Sequence, residues 1–120
     1  MGVTRTLKIS VRAMTGTTVV DAEGAIDLGN SPGLRSSLFE AVASAPRVAL
    51  NMTGIRYIDS SGIATLIEVL KKAQASKKDF VLFGLGPAVH NVLKLTNLLG
   101  VFRIVDTEEQ ALSGNAALQG

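Results

Sequence analysis

The segment from Ser60 to about Ser76 places Ile63, Leu66, Ile67 and Leu70 at i, i+3, i+4 and i+7, the period of a helix with one apolar face. It follows Arg47-Val48-Ala49-Leu50-Asn51-Met52, a short apolar run of the kind that fits a central strand covered by helices. The same change of period recurs at Asp79-Phe80-Val81-Leu82-Phe83, followed by a helical stripe of Val89, Val92, Leu93 and Thr96. It recurs again at Phe102-Arg103-Ile104-Val105, followed by a segment through Leu112 that Asp106 or Thr107 can cap. Strands alternating with helices force a largely parallel sheet, because parallel neighbours need a long crossover.

Upstream the pattern differs. Leu7 to Ala13 alternates loosely between apolar and polar residues, the period of a half-buried strand. Thr15-Gly16-Thr17 reads as a turn, and Thr18 to Ile26 as a second strand, so the chain opens with a hairpin whose first strand is an edge. Asn30-Ser31-Pro32 starts a helix running to about Ala45, where Pro46 ends it; its stripe is Leu34, Leu38, Ala41 and Ala45, with Phe39 off it under a neighbouring loop. The expectation is one α/β domain over residues 1–120, a mixed sheet of about five strands with about four helices packed mainly on one side. Its core spans about 4–112, and 113–120 form a flexible tail.

Between the third strand and its helix stands Asp59-Ser60-Ser61-Gly62. The first N–H groups of a helix lack intrahelical partners and carry partial positive charge, so a phosphate on Ser60 would be held by backbone there. Read alone, the tetrapeptide favours the plainer reading of a helix cap, with Asp59 or Ser60 accepting from the first turn. Glu68 and Lys72 stand four apart in the favourable order for an ion pair, and Lys71, Lys72, Lys77 and Lys78 gather at the negative end of the same helix, where they need no ligand.

Other chemistry is mostly withheld. The 120 residues are 47% hydrophobic, 18% charged and 4% aromatic, with formal charge +2, which gives neither a polyanion-binding surface nor a stacking platform for bases. No nucleic-acid or membrane partner is expected. Cysteine is absent and His90 is the single histidine, which removes thiolate and multi-histidine metal chemistry. The ten acidic residues form no metal-binding pattern, so neither metal nor cofactor is expected. Gly84-Leu85-Gly86-Pro87-Ala88-Val89 follows a strand, but Val89 replaces the third glycine of a dinucleotide loop and Pro87 removes a phosphate-facing N–H. Ser60 has Gly62 two residues after it but Ile58, not glycine, two before, which is half a nucleophile elbow, and His90 has no orienting acid nearby in sequence. Asn51-Met52-Thr53 fits a glycosylation sequon inside an apparent core strand and is a chance match. With no apolar leader and no membrane-length run, a cytoplasmic location is expected.

The ordered set Gly24-Ala25-Ile26-Asp27, Asp59-Ser60-Ser61-Gly62-Ile63, Leu82-Phe83-Gly84 and Val92-Leu93-Lys94-Leu95-Thr96 resembles the STAS domain, and within it the stand-alone bacterial anti-sigma factor antagonists. The likeness runs from about Leu7 to Leu112. It implies a non-enzymatic domain, a monomer or weak dimer, that binds a serine-kinase anti-sigma factor until the kinase phosphorylates it, and that a PP2C-type phosphatase resets. The serine directly after the aspartate, Ser60, is implied as the phosphorylated residue, with Ser61 adjoining it. Asp27 matches the acidic residue of the first strand-to-helix loop that helps form the partner surface. Two departures, Ala64 where many members have glycine and the polar Asn30-Ser31, bear on the identity of the partner. The expected partner surface comprises Asp27, Asn30, Asp59, Ser61, Gly62 and Val69, with Gly62 admitting a close backbone and Val69 lying outside the core stripe. A scaffold subunit of a stressosome or of a lipid-transport complex is the alternative reading.

Overall fold

In the computed structural model, which describes residues 6–14 and 16–113, the alternating N-terminal segment forms the edge strand that its period requires. β1 (Leu7–Met14) runs antiparallel to β2 (Thr17–Ile26), with Leu7 opposite Gly24 and Met14 opposite Thr17. β2 then pairs in parallel with β3 (Arg47–Ile58), β3 with β4 (Asp79–Phe83) and β4 with β5 (Arg103–Val105), giving the order β1-β2-β3-β4-β5. The crossovers carry α1 (Ser31–Ser44), α2 (Ser60–Ala75) and α3 (Pro87–Leu95), and α4 (Glu108–Ser113) follows β5. This is the mixed five-strand sheet with four helices expected from the alternation of periods. Thr15 of the expected turn and residues 114–120 of the expected tail lie outside the described residues; Ser113 ends α4.

The pleat sends alternate residues to opposite faces. Val20, Ala22, Val48, Leu50, Phe80 and Leu82 meet Leu34 and Leu38 of α1, Leu66 and Val69 of α2, and Val89 and Leu93 of α3 in the main core. Val19, Ala49, Val81 and Phe83 face the other way and pack with Ala111 of α4. α4 starts with a reciprocal cap: the Gln110 backbone N–H donates to Thr107 Oγ1 at 3.2 Å, while Gln110 Oε1 accepts from the Thr107 and Asp106 N–H groups. It is tied down by Arg12, which donates to Asp21 on β2 at 2.6 and 2.9 Å and to Glu108 at 2.7 and 3.1 Å.

β3 is longer than its apolar run suggests. Its pairing with β2 shifts register between Asp21 and Glu23 and again between Gly24 and Ala25, so period 2 fails beyond Met52 although the strand continues to Ile58. The bulged length brings Ile58 opposite Ile26, and the residues after each emerge side by side. At the end of β4, Gly84 takes φ +72°, and a Cβ there would collide with the Thr53 hydroxyl; the Gly84-Leu85-Gly86 stretch is a tight strand-to-helix turn.

Three expectations about side chains need correction. Val69 is fully buried, not outside the stripe: α2 buries Gly62, Thr65, Leu66, Val69 and Ala73, so Val69 continues the line from Leu66 to Ala73 while Ile67 and Leu70 sit at the core margin. The rotation of the stripe follows from α2 lying against both the sheet and α1, which widens its buried face. Glu68 pairs not with Lys72 but with Arg35 of α1 at 3.2 Å, and the Arg35 guanidinium lies over the Phe39 ring at 4.3 Å. Lys78 serves α1 instead of the end of α2, donating to the carbonyls of Val42 at 2.5 Å and Ala43 at 3.3 Å where that helix ends. Asn51 of the chance sequon is held at both ends of its amide, by Asp21 at 2.7 Å and by the Thr53 hydroxyl at 2.7 Å.

Candidate functional site

Because Ile26 and Ile58 are register partners on adjacent parallel strands, the loop Asp27–Asn30 and the start of α2 share one end of the sheet. Asp59 joins them. It caps α2 from an extended backbone conformation, with Oδ1 accepting from the Ser61 N–H at 2.9 Å, the Gly62 N–H at 3.1 Å and the Ser61 hydroxyl at 2.6 Å. Its other oxygen, Oδ2, accepts from the Leu28 N–H of the neighbouring loop at 3.2 Å. The Ser61 hydroxyl, and then the N–H groups of Gly62, Ser61 and Leu28, hold the Asp59 carboxyl below the usual carboxylate range against the opposing effect of burial.

The two serines are therefore chemically different. Ser61 is half-buried and spends its hydroxyl on Asp59. Ser60 stands at the first position of α2, exposed, and its hydroxyl has no hydrogen-bond partner among the described residues. A group transferred to Ser60 Oγ would meet solvent and the positive end of a 16-residue helix.

The first loop is braced from within. Asp27 Oδ1 accepts from the N–H groups of Gly29 at 3.0 Å and Asn30 at 3.2 Å. Asn30 occupies the N-cap position of α1 but makes no side-chain cap bond. Its Oδ1 accepts from the Asp27 N–H at 2.9 Å and its Nδ2 donates to the Ala25 carbonyl at 2.9 Å. Its side chain is drawn back into the loop, where it pairs with those two backbone groups instead of with the first turn of α1. Leu28, which the sequence reading passed over, projects from this braced loop with 76% of its surface exposed.

Gly62 also needs correction. It is buried, and a Cβ there would lie 2.6 Å from Ile26 Cγ2 and 2.6 Å from Ile58 Cγ1. Its missing side chain lets α2 close onto the ends of β2 and β3, and leaves no room for a partner's backbone. Of the expected site residues, Asp27, Asp59, Ser60 and Ser61 share the strand-end surface, Asn30 braces the Asp27 loop, and Gly62 and Val69 are buried.

A family model described as STAS domain matches residues 8–111. The chain belongs to the STAS domain family. A crystal structure of an anti-sigma factor antagonist from Mycobacterium paratuberculosis superposes with a TM-score of 0.83 at 25% identity, covering 91% of this chain and 93% of that one. SpoIIAA, an anti-sigma factor antagonist, shares the STAS fold at 20% identity; its unphosphorylated form gives a TM-score of 0.76 over 89% of this chain and 95% of its own. The BtrV protein of Bordetella bronchiseptica, named as a candidate anti-sigma factor antagonist, is 24% identical over 106 residues, 88% of this chain and 91% of its own. Among the described residues, no helix of this STAS domain is long and apolar enough to cross a membrane.

Proposed function

We propose that this STAS domain is an anti-sigma factor antagonist, a non-enzymatic cytoplasmic switch that binds a serine-kinase anti-sigma factor and is released when that kinase phosphorylates Ser60. The observation that carries the reading is the contrast between the two serines: the Ser60 hydroxyl is exposed and unbonded at a helix start, whereas Ser61 is bound to Asp59. In the transfer, Ser60 Oγ attacks the γ-phosphorus of ATP, the bond to the ADP oxygen breaks, and the hydroxyl proton passes to a base of the kinase. A PP2C-type phosphatase hydrolyses the ester and restores binding.

The phosphate adds about −1.5 to −2 charge at neutral pH. Opposite one carboxylate of a docked partner roughly 6 Å away, at an effective dielectric near 20, each unit of charge costs about 3 kcal/mol. Each unit of charge therefore weakens binding on the order of a hundredfold and the full phosphate by more, enough to exchange partners.

The test is binding of purified serine-kinase anti-sigma factors from the same genome by wild type, Ser60→Ala and Ser60→Asp, with mass spectrometry after addition of ATP and Mg²⁺. Retention by wild type and Ser60→Ala, loss by Ser60→Asp, and one phosphate on Ser60 are expected. Equal retention of the kinase by all three proteins, with Ser60 unmodified, would indicate a scaffold.

A further inference from the structure

Among the described residues, Leu28 is the most exposed large apolar side chain. An exposed leucine is ordinary on a mobile loop, but the backbone beneath this one is fixed on every side. The Leu28 N–H is held by Asp59 Oδ2, the next two N–H groups by Asp27 Oδ1, and the Asp27 N–H by Asn30, which is itself anchored to the Ala25 carbonyl. A rigidly presented apolar side chain loses little further freedom when a partner covers it, which is the property of an interface anchor.

Its position decides which partner. One carboxylate, Asp59, bridges the Leu28 N–H to the first turn of α2, where Ser60 directly follows it in the chain. An enzyme that brings a phosphoryl donor onto Ser60 Oγ must cover the surface adjoining that atom. We propose that Leu28 is the apolar anchor that the Ser60 kinase grips, and that Asp59 is the positioning residue that holds it beside the reacting hydroxyl. This rests on the proposed phosphorylation of Ser60 and adds its recognition determinant: the kinase carries an apolar socket next to its phosphoryl-transfer site. Leu28 and Asp59 work as one unit, because among the described residues Asp59 Oδ2 is the atom that ties the Leu28 backbone to the start of α2.

The experiment measures kcat and KM for Ser60 phosphorylation by the purified serine-kinase anti-sigma factor of the same genome with ATP and Mg²⁺. The substrates are wild type, Leu28→Ala, Leu28→Met, Asp59→Asn and the Leu28→Ala/Asp59→Asn double variant, each checked for fold by circular dichroism. Leu28→Ala raises KM on the order of tenfold with kcat nearly unchanged, the cost of truncating one anchor, and Leu28→Met restores it. Asp59→Asn raises KM similarly, and the double variant is much less impaired than the product of the two singles. Without any partner, the Leu28 amide resonance shifts and exchanges with solvent faster in Asp59→Asn. Leu28→Ala phosphorylated with wild-type constants overturns the anchor while leaving the switch intact. An unchanged Leu28 amide in Asp59→Asn, or strictly multiplicative KM effects, overturns the positioning role. Wild type left unmodified at Ser60 overturns both this inference and the functional reading.

Discussion

Replacing Gly62 by alanine separates two roles for that position by the sign of the effect. In the first turn of an exposed helix the change would be neutral or stabilising, since alanine is about 1 kcal/mol better than glycine in a helix interior. Here the added Cβ would stand 2.6 Å from Ile26 Cγ2, 2.6 Å from Ile58 Cγ1 and 3.1 Å from Ile58 Cδ1. The optimum for two carbons is about 3.5–4.0 Å, so two contacts are compressed by roughly 1 Å. Both isoleucines are buried and β-branched, so neither swings aside at χ1 without disturbing the core. Overpacking of this kind costs about 1–3 kcal/mol; two contacts compressed at once place it in the upper part of that range, about 2–3 kcal/mol, so after the helical gain a net loss of about 1–2 kcal/mol remains. With a urea slope on the order of 1.5 kcal/mol/M for a domain of this size, the unfolding midpoint falls by about 1 M. Equilibrium urea unfolding followed by far-UV circular dichroism measures it, and a midpoint at or above that of wild type would refute the packing argument for Gly62.

Two further outcomes follow from the ion pairs and the capping carboxylate. Arg12→Met removes the Glu108 contact that holds α4 to the β1–β2 hairpin and the Asp21 contact within the hairpin; because the pairs are partly exposed to solvent, the global loss is only about 1 kcal/mol. Hydrogen exchange should accelerate in residues 108–113 while the amides of β3 and β4 keep their protection, and uniform acceleration would count against a local latch. The carboxyls of Asp21, Asp59 and Glu108 are all held below their ordinary values, chiefly by Arg12 for Asp21 and Glu108 and by the Ser61 hydroxyl for Asp59. Groups depressed in the fold contribute stability that is fully present above their unfolded values of about 4 and is lost as pH falls through the folded ones. The urea midpoint therefore drops on acidification below about pH 4–5, and Asp59→Asn, less stable at neutral pH, shows a shallower drop; parallel profiles would contradict the assigned role of Asp59.

The elements were legible where one period ran uninterrupted. The α2 segment, the apolar strands and the N-terminal hairpin each carry their period locally, and the set of motifs placed them in one family. What sequence could not show depends on neighbours brought in by the fold. β3 was read short because its bulges break the alternation beyond Met52. Val69 was assigned to the surface because a single-stripe template ignores α1 lying alongside α2. Gly62 and Asn30 both belong to the expected partner surface, yet one closes against Ile26 and Ile58 and the other braces the loop before α1. Leu28 left no signal, since its prominence comes from hydrogen bonds to residues up to 31 positions away.

The same register that hides Leu28 in the sequence accounts for where the proposed switch would sit. Adjacent parallel strands deliver their exits to one edge, so β2 and β3, ending at the paired residues Ile26 and Ile58, place a braced loop beside a helix start. A charge added at that helix start costs the domain little, because the first-turn dipoles already favour an anion and Ser60 is exposed to water. The same charge costs a docked partner far more, because closure of the interface removes the water that would screen it. In the proposed switch, the difference between those two costs would let modification of Ser60 change affinity without requiring any rearrangement of the sheet. Were Ser61 modified instead, the hydroxyl that supports Asp59 would be lost and the phosphate would crowd the capping carboxylate, so the cost would fall on the domain itself.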